Sequence, residues 1–209
     1  MWAHHHGGQG LFDVDPHDGS VYVSYMLHGI PEGEYEPLGF QIGKILPDGS
    51  NLQWGYQATR AGFASYIGGS VVYDHVSDEH VFFMADRDWH GAESFLIVRK
   101  TNKVDGSQVF YKGYQDNITR NSDKWDGAKP CALNSDEHLL CLFPKLWFHD
   151  VALYKIDGSS EGEPLSGLFI DYVANEFDFY DSIAIGPDDK VFIHLEKRGG
   201  TRLFLVLDK

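Results

Sequence analysis

A strand, an acidic turn and a second strand recur four times along this 209-residue chain, and such a recurrence constrains the fold class more than any single residue does. The four copies are Val14-Asp-Pro-His-Asp18-Gly-Ser-Val21-Tyr22-Val23, Val76-Ser-Asp78-Glu-His-Val81-Phe82-Phe83, Asn134-Ser-Asp136-Glu-His-Leu139-Leu140-Cys141 and Gly186-Pro-Asp188-Asp-Lys-Val191-Phe192-Ile193. Their acidic residues Asp18, Asp78, Asp136 and Asp188 are separated by 60, 58 and 52 positions. Aspartate suits these turns because its carboxylate bonds nearby backbone amides, and a following glycine tolerates positive φ.

A second set of turns keeps step with the first. Three alternating strands end in Asp48-Gly49, Asp105-Gly106 and Asp157-Gly158, spaced by 57 and 52 residues. Another strand follows each, at Asn51 to Tyr56, Ser107 to Tyr114 and Leu168 to Tyr172. Each unit therefore reads as four antiparallel strands, A to D. Repeated four-stranded units are the mark of a β-propeller. The expected fold is all-β, a single propeller domain over residues 1–209 with blades at roughly 11–57, 71–115, 130–172 and 182–209. A β-sandwich carrying a chance repeat is the competing architecture. The fourth unit has strands at Ser182 to Ile185, Val191 to Leu195 and Arg202 to Leu207, and lacks its outer strand. That leaves a closed four-bladed ring, part of a larger propeller, or half of an oligomeric one.

The run Phe40-Gln-Ile-Gly-Lys-Ile-Leu-Pro-Asp-Gly-Ser-Asn-Leu-Gln-Trp54 resembles the outer half of the seven-bladed β-propeller repeats of bacterial extracellular proteins. Phe12-Asp-Val-Asp15 through Val23 resembles their inner half, and Ile67-Gly-Gly-Ser70 their Gly-Gly segment. The resemblance implies the propeller fold and an extracellular setting, and it brings no shared catalytic residues.

Composition removes several functions. Hydrophobic residues at 43% and aromatics at 14% exclude wholesale disorder. No apolar run approaches the ~20 residues of a membrane helix, and Met1 to Gly10 carry no apolar secretory core. A formal charge of −14 opposes nucleic-acid backbones and anionic lipid, which are bound through basic side chains. The partners expected are a glycan or a protein, with self-assembly through open edge strands as a third role; no nucleic acid and no membrane insertion are expected.

Candidate binding residues fall on the B–C connections, read as long loops over Met26 to Gly39, Ala85 to Ser94 and Phe143 to His149. His28, His90, His149 and Arg198 lie 10, 12, 13 and 10 residues after the aligned aspartates, and Trp89 and Trp147 stand beside two of them. Flat aromatic faces next to hydrogen-bonding groups suit sugar rings. The ligand-binding set is thus His28, Trp89, His90, Trp147, His149 and Arg198, in a non-catalytic binding or structural module at the cell surface or outside it; a cytoplasmic home stays open. The same His28, His90 and His149 would be the ligands of a metal-dependent enzyme on that face, but no ligand spacing supports a metal and no cofactor is expected. No nucleophile elbow, phosphate loop or dinucleotide fingerprint occurs. Asp13, Asp15 and Asp18 lack calcium-loop spacing and read as an aspartate-rich hairpin. His4 to His6 read as a terminal segment.

Cys131 and Cys141 flank the third acidic turn, where either a cross-strand disulfide or two buried thiols fits. Asn117-Ile118-Thr119 matches a glycosylation sequon. Val21, Val23, Val81, Phe83, Leu139, Cys141, Val191 and Ile193 are the expected inter-sheet core.

Overall fold

A computed structural model describes residues 11–29, 36–49, 52–59, 64–89, 93–115, 131–144, 151–159, 161–170, 182–197 and 201–208. Among these residues the chain is all-β, in four antiparallel sheets of consecutive strands. The first holds β1 (Leu11–Val14), β2 (Val21–Gly29), β3 (Glu36–Ile45) and β4 (Leu52–Thr59). The second holds β5 (Ala64–Tyr73), β6 (His80–Trp89), β7 (Glu93–Asn102) and β8 (Gln108–Gln115). The third holds β9 (Cys131–Leu133), β10 (His138–Pro144), β11 (Val151–Asp157) and β12 (Pro164–Ile170). The fourth holds only β13 (Ser182–Ile185), β14 (Val191–Lys197) and β15 (Thr201–Leu207). Four sheets with a three-stranded last member is the organisation the repeat arithmetic implies.

Strand register confirms the alignment of the repeats. Val14 pairs with Val21, Tyr73 with Val81, Leu133 with Leu139 and Ile185 with Val191, so each aligned aspartate lies three residues before the first paired position of strand B. The turns differ inside that frame. Positive φ falls one residue after the aspartate at Gly19, Glu137 and Asp189, but on Asp78 itself in the second sheet. The second turn carries more residues between its paired ends than the other three, which moves the left-handed position back by one.

Two expectations need correction. The third C–D turn does not close at Asp157-Gly158: the Gly158 N–H donates to the Glu137 carbonyl at 2.8 Å, and Gly162 takes the positive φ of 63°. Drawn to the neighbouring A–B turn, Gly158 cannot close the hairpin, and β12 starts at Pro164 rather than at Leu168. The B–C connections are also shorter than expected. β2 runs on to Gly29, β6 to Trp89 and β10 to Pro144, because the main-chain ladders continue into the segments read as loop.

By contacts the chain forms two compact units, residues 1–73 with 79–128, and residues 74–78 with 129–209. Each sheet has a rear face, carrying Val21, Val81, Leu139 or Val191, and a front face, carrying the next residue, Tyr22, Phe82, Leu140 or Phe192. In the first unit the front of the first sheet (Tyr22, Ile42, Trp54) packs on the rear of the second (Val71, Tyr73, Val81, Phe83, Ile97). Tyr22 stacks on Tyr73 at 6.1 Å, and Trp54 meets Phe83 edge-on at 6.1 Å. In the second unit the front of the third sheet (Leu140, Leu142, Leu153) packs on the rear of the fourth (Ile183, Ile185, Val191, Ile193, Leu203, Leu205, Leu207).

Of the expected core, Val81, Phe83, Leu139, Cys141, Val191 and Ile193 are buried. Val21 and Val23 are only half-buried, since the rear of the first sheet is open to solvent along Phe12 and Val14. The cysteines are cross-strand partners, with Cα atoms 4.1 Å apart and a disulfide between them.

Candidate functional site

The two ends of each sheet are chemically different. A–B and C–D turns share one end, and the B–C connection emerges from the other. At the turn end several aspartates complete turns. Asp15 accepts the His17 amide at 2.9 Å, Asp18 the Ser20 amide at 2.7 Å, and Asp105 the Ser107 amide at 2.9 Å. Asp74 accepts from the Val76 and Ser77 amides and from the Ser77 hydroxyl, while Asp157 accepts from Ser159. These local bonds compete with strand continuation and close the hairpins.

Asp15 and two further carboxylates, Asp13 and Asp189, also tie one sheet to the next. In the first unit Asp13 accepts the Tyr73 amide at 2.7 Å. Lys103 Nζ stands 3.1 Å from Asp15 Oδ2, donates to the Tyr73 hydroxyl at 3.2 Å and lies over the Tyr73 ring. The Trp54 indole N–H donates to the Lys103 carbonyl at 3.2 Å. Lys44 lies over Tyr22 and pairs with Asp18 at 3.5 Å. In the second unit the Asp189 carboxylate accepts both the amide of Ser135 (2.9 Å) and its hydroxyl.

Electrostatics fit a structural role. Burial alone would raise the Asp18 carboxyl, but the Ser20 amide and the Lys44 ammonium outweigh it and hold the group below the ordinary aspartate value. The Ser107 amide likewise lowers Asp105. Carboxylates held ionised by amide donors are poor proton donors near neutral pH.

Of the six expected ligand-binding residues, His28 and Trp89 lie on described strands. His28 sits in β2 opposite Pro37, directly after a register shift, and Trp89 ends β6 between Ala64 and Glu93. Both occupy the B–C end of strand B in their sheets. His90, Trp147, His149 and Arg198 lie outside the described residues, as do the Asn117 sequon and His4 to His6.

Sequence reasoning missed the Lys103–Asp15–Tyr73 cluster. It also missed a repeated cation–aromatic pair: Lys44 over Tyr22 recurs as Lys100 over Phe82, at 5.6 and 5.2 Å. The signal was present, because each lysine lies on strand C opposite the aromatic that opens strand B. No family model matches the chain, and a search of the curated proteins finds no significant relative.

Proposed function

We propose that the four sheets are blades of a β-propeller resembling the bacterial seven-bladed repeats, and that the chain is a non-catalytic binding or structural module working outside the cell or at its surface. Its partner is a glycan or a protein, taken at the B–C end by His28, Trp89, His90, Trp147, His149 and Arg198. The observation that carries this reading is the use of the acidic groups at the turn end. Asp13, Asp15, Asp18, Asp74 and Asp189 accept backbone amides in hairpins and inter-sheet ties, which commits them to holding the fold. The aromatic and imidazole side chains that the sequence gathers in the B–C segments are then the groups left for a ligand. The Cys131–Cys141 disulfide fits an oxidising compartment.

The test is a glycan array followed by titration calorimetry on the strongest hit, with Trp89→Ala and Trp147→Ala beside the wild type. Saturable binding weakened about tenfold or more in either variant, at an unchanged thermal midpoint, is the expected result. Binding indifferent to both substitutions would move the site off this end.

A further inference from the structure

The same contact between sheets is made twice in this chain, and both of its halves are also left exposed. In each unit the front face of one sheet lies on the rear face of the next. Register makes the positions equivalent. On the rear faces, Phe12, Val14, Val21 and Val23 of the first sheet correspond to Val71, Tyr73, Val81 and Phe83 of the second, and to Ile183, Ile185, Val191 and Ile193 of the fourth. On the front faces, Phe192, Phe204 and Val206 of the fourth sheet correspond to Tyr22, Ile42 and Lys44 of the first.

Exposure separates the equivalents sharply. Val71 and Tyr73 are 7% and 4% exposed, whereas their equivalents Phe12 and Val14 are 68% and 41% exposed. Tyr22 and Ile42 have no exposed surface, whereas Phe204 is 70%, Val206 56% and Phe192 45% exposed. One rear face and one front face, both apolar, are therefore open to solvent. The front face also carries a substitution suited to burial. Where the first three sheets place Lys44, Lys100 and Lys155 opposite the front-face residues Tyr22, Phe82 and Leu140 of strand B, the fourth places Val206 opposite Phe192. Exposed aromatic clusters of this kind are disfavoured on a surface that meets only water.

We propose that a second copy of this chain covers these faces, the front of the fourth sheet of one copy seating on the rear of the first sheet of the next. The contact continues the one already made twice inside the chain, with Phe192, Phe204 and Val206 packing on Phe12, Val14, Val21 and Val23. It joins two different patches, so it is head-to-tail: it closes into a ring if the rotation between copies permits and otherwise extends the stack. It uses sheet faces rather than edge strands, and it does not depend on the glycan or protein reading of the B–C end.

Sedimentation velocity of the whole chain across a concentration series tests this, with Phe12→Asp and Phe204→Lys as variants. Both sites are exposed, so circular dichroism and the thermal midpoint should match the wild type. The wild type is expected to associate as concentration rises. Each variant alone should associate at least about a hundredfold more weakly, because a charge is placed in an apolar contact. A mixture of the two variants should recover a one-to-one dimer, since each keeps the face the other has lost. A wild type that stays monomeric overturns the proposal. So does loss of association in only one variant, which would mean a like-to-like contact, and so does a mixture that fails to pair.

Discussion

Lys103 Nζ donates to Asp15 Oδ2 at 3.1 Å, joining the C–D turn of the second sheet to the A–B turn of the first across 88 positions of chain. Asp15 has no exposed surface, and the Lys103 side chain retains 17%. A carboxylate buried this deeply is tolerable only with its partner and its amide donor in place. Lys103→Met is therefore expected to cost about 3 kcal/mol of unfolding free energy, because it strands a buried charge. Adding Asp15→Asn should recover a large part of the loss, since the amide keeps an oxygen for the His17 N–H and removes the charge. Urea titration of the two single variants and the double variant measures the coupling. A loss below about 1 kcal/mol for Lys103→Met would place the pair among ordinary surface bridges.

Glycines 49 and 106 hold equivalent turn positions with φ of 69° and 75°, yet their surroundings differ. A Cβ at Gly49 meets nothing within 4 Å, whereas one at Gly106 would lie 2.7 Å from Trp54 Cδ2. Gly49→Ala should lose only the left-handed penalty, about 1 kcal/mol. Gly106→Ala adds the displacement of a packed indole and should lose about 3 kcal/mol. Chemical denaturation ranks the pair, and Trp54 emission should shift only in the Gly106 variant. Equal losses would show that the indole moves aside freely.

The Cys131–Cys141 bridge closes a loop with a sequence separation of 10 and fixes β9, a strand of three residues. A strand this short gains little from its own ladder, so the covalent link is its main constraint. Loop entropy assigns such a bridge about 2–3 kcal/mol. Reductant, or the pair Cys131→Ala with Cys141→Ala, should lower the unfolding free energy by that amount, and reduction should add two hydrogens to the intact mass. Unchanged stability under reductant would mean that packing around Cys141 holds β9 unaided.

Much of this architecture is readable from residues alone, because turn chemistry and two-residue alternation are local properties. Asp18, Asp78, Asp136 and Asp188 mark the A–B turns, and the three strands that the fourth sheet shows among the described residues follow from counting. Gly158 misled because a hairpin reading assigns an Asp-Gly pair to its own turn, while this amide is bonded to Glu137. The strand ends at His28 and Trp89 were read as loop because polarity rises there, although the main-chain ladder continues. The Lys103–Asp15 tie was out of reach for a different reason: its partners meet only through packing of one sheet on another. Alternation also marks one face of each strand as core, so the burial of Tyr22, Phe82 and Leu140 on the opposite face escaped notice.

Asp18 links the turn end to acid stability. The Ser20 amide and the Lys44 ammonium hold its carboxyl below the ordinary aspartate value in the folded chain, against the opposing effect of burial. A group whose pKa is lower folded than unfolded favours folding when ionised, so its contribution is complete above the unfolded pKa and disappears as pH falls through the folded one. Asp105, lowered by the Ser107 amide, acts in the same direction. Urea midpoints should therefore be level near neutrality and decline once the pH enters and passes below the ordinary carboxylate range. Asp18→Asn should be slightly less stable than the wild type near neutral pH and should show a shallower decline in acid. The effect stays small because the Asp18 side chain is 49% exposed and solvent screens its pairing with Lys44. Raising salt should weaken the Lys44 part and leave the amide part in place. An acid limb of identical slope in wild type and Asp18→Asn would assign the pH dependence to other carboxylates.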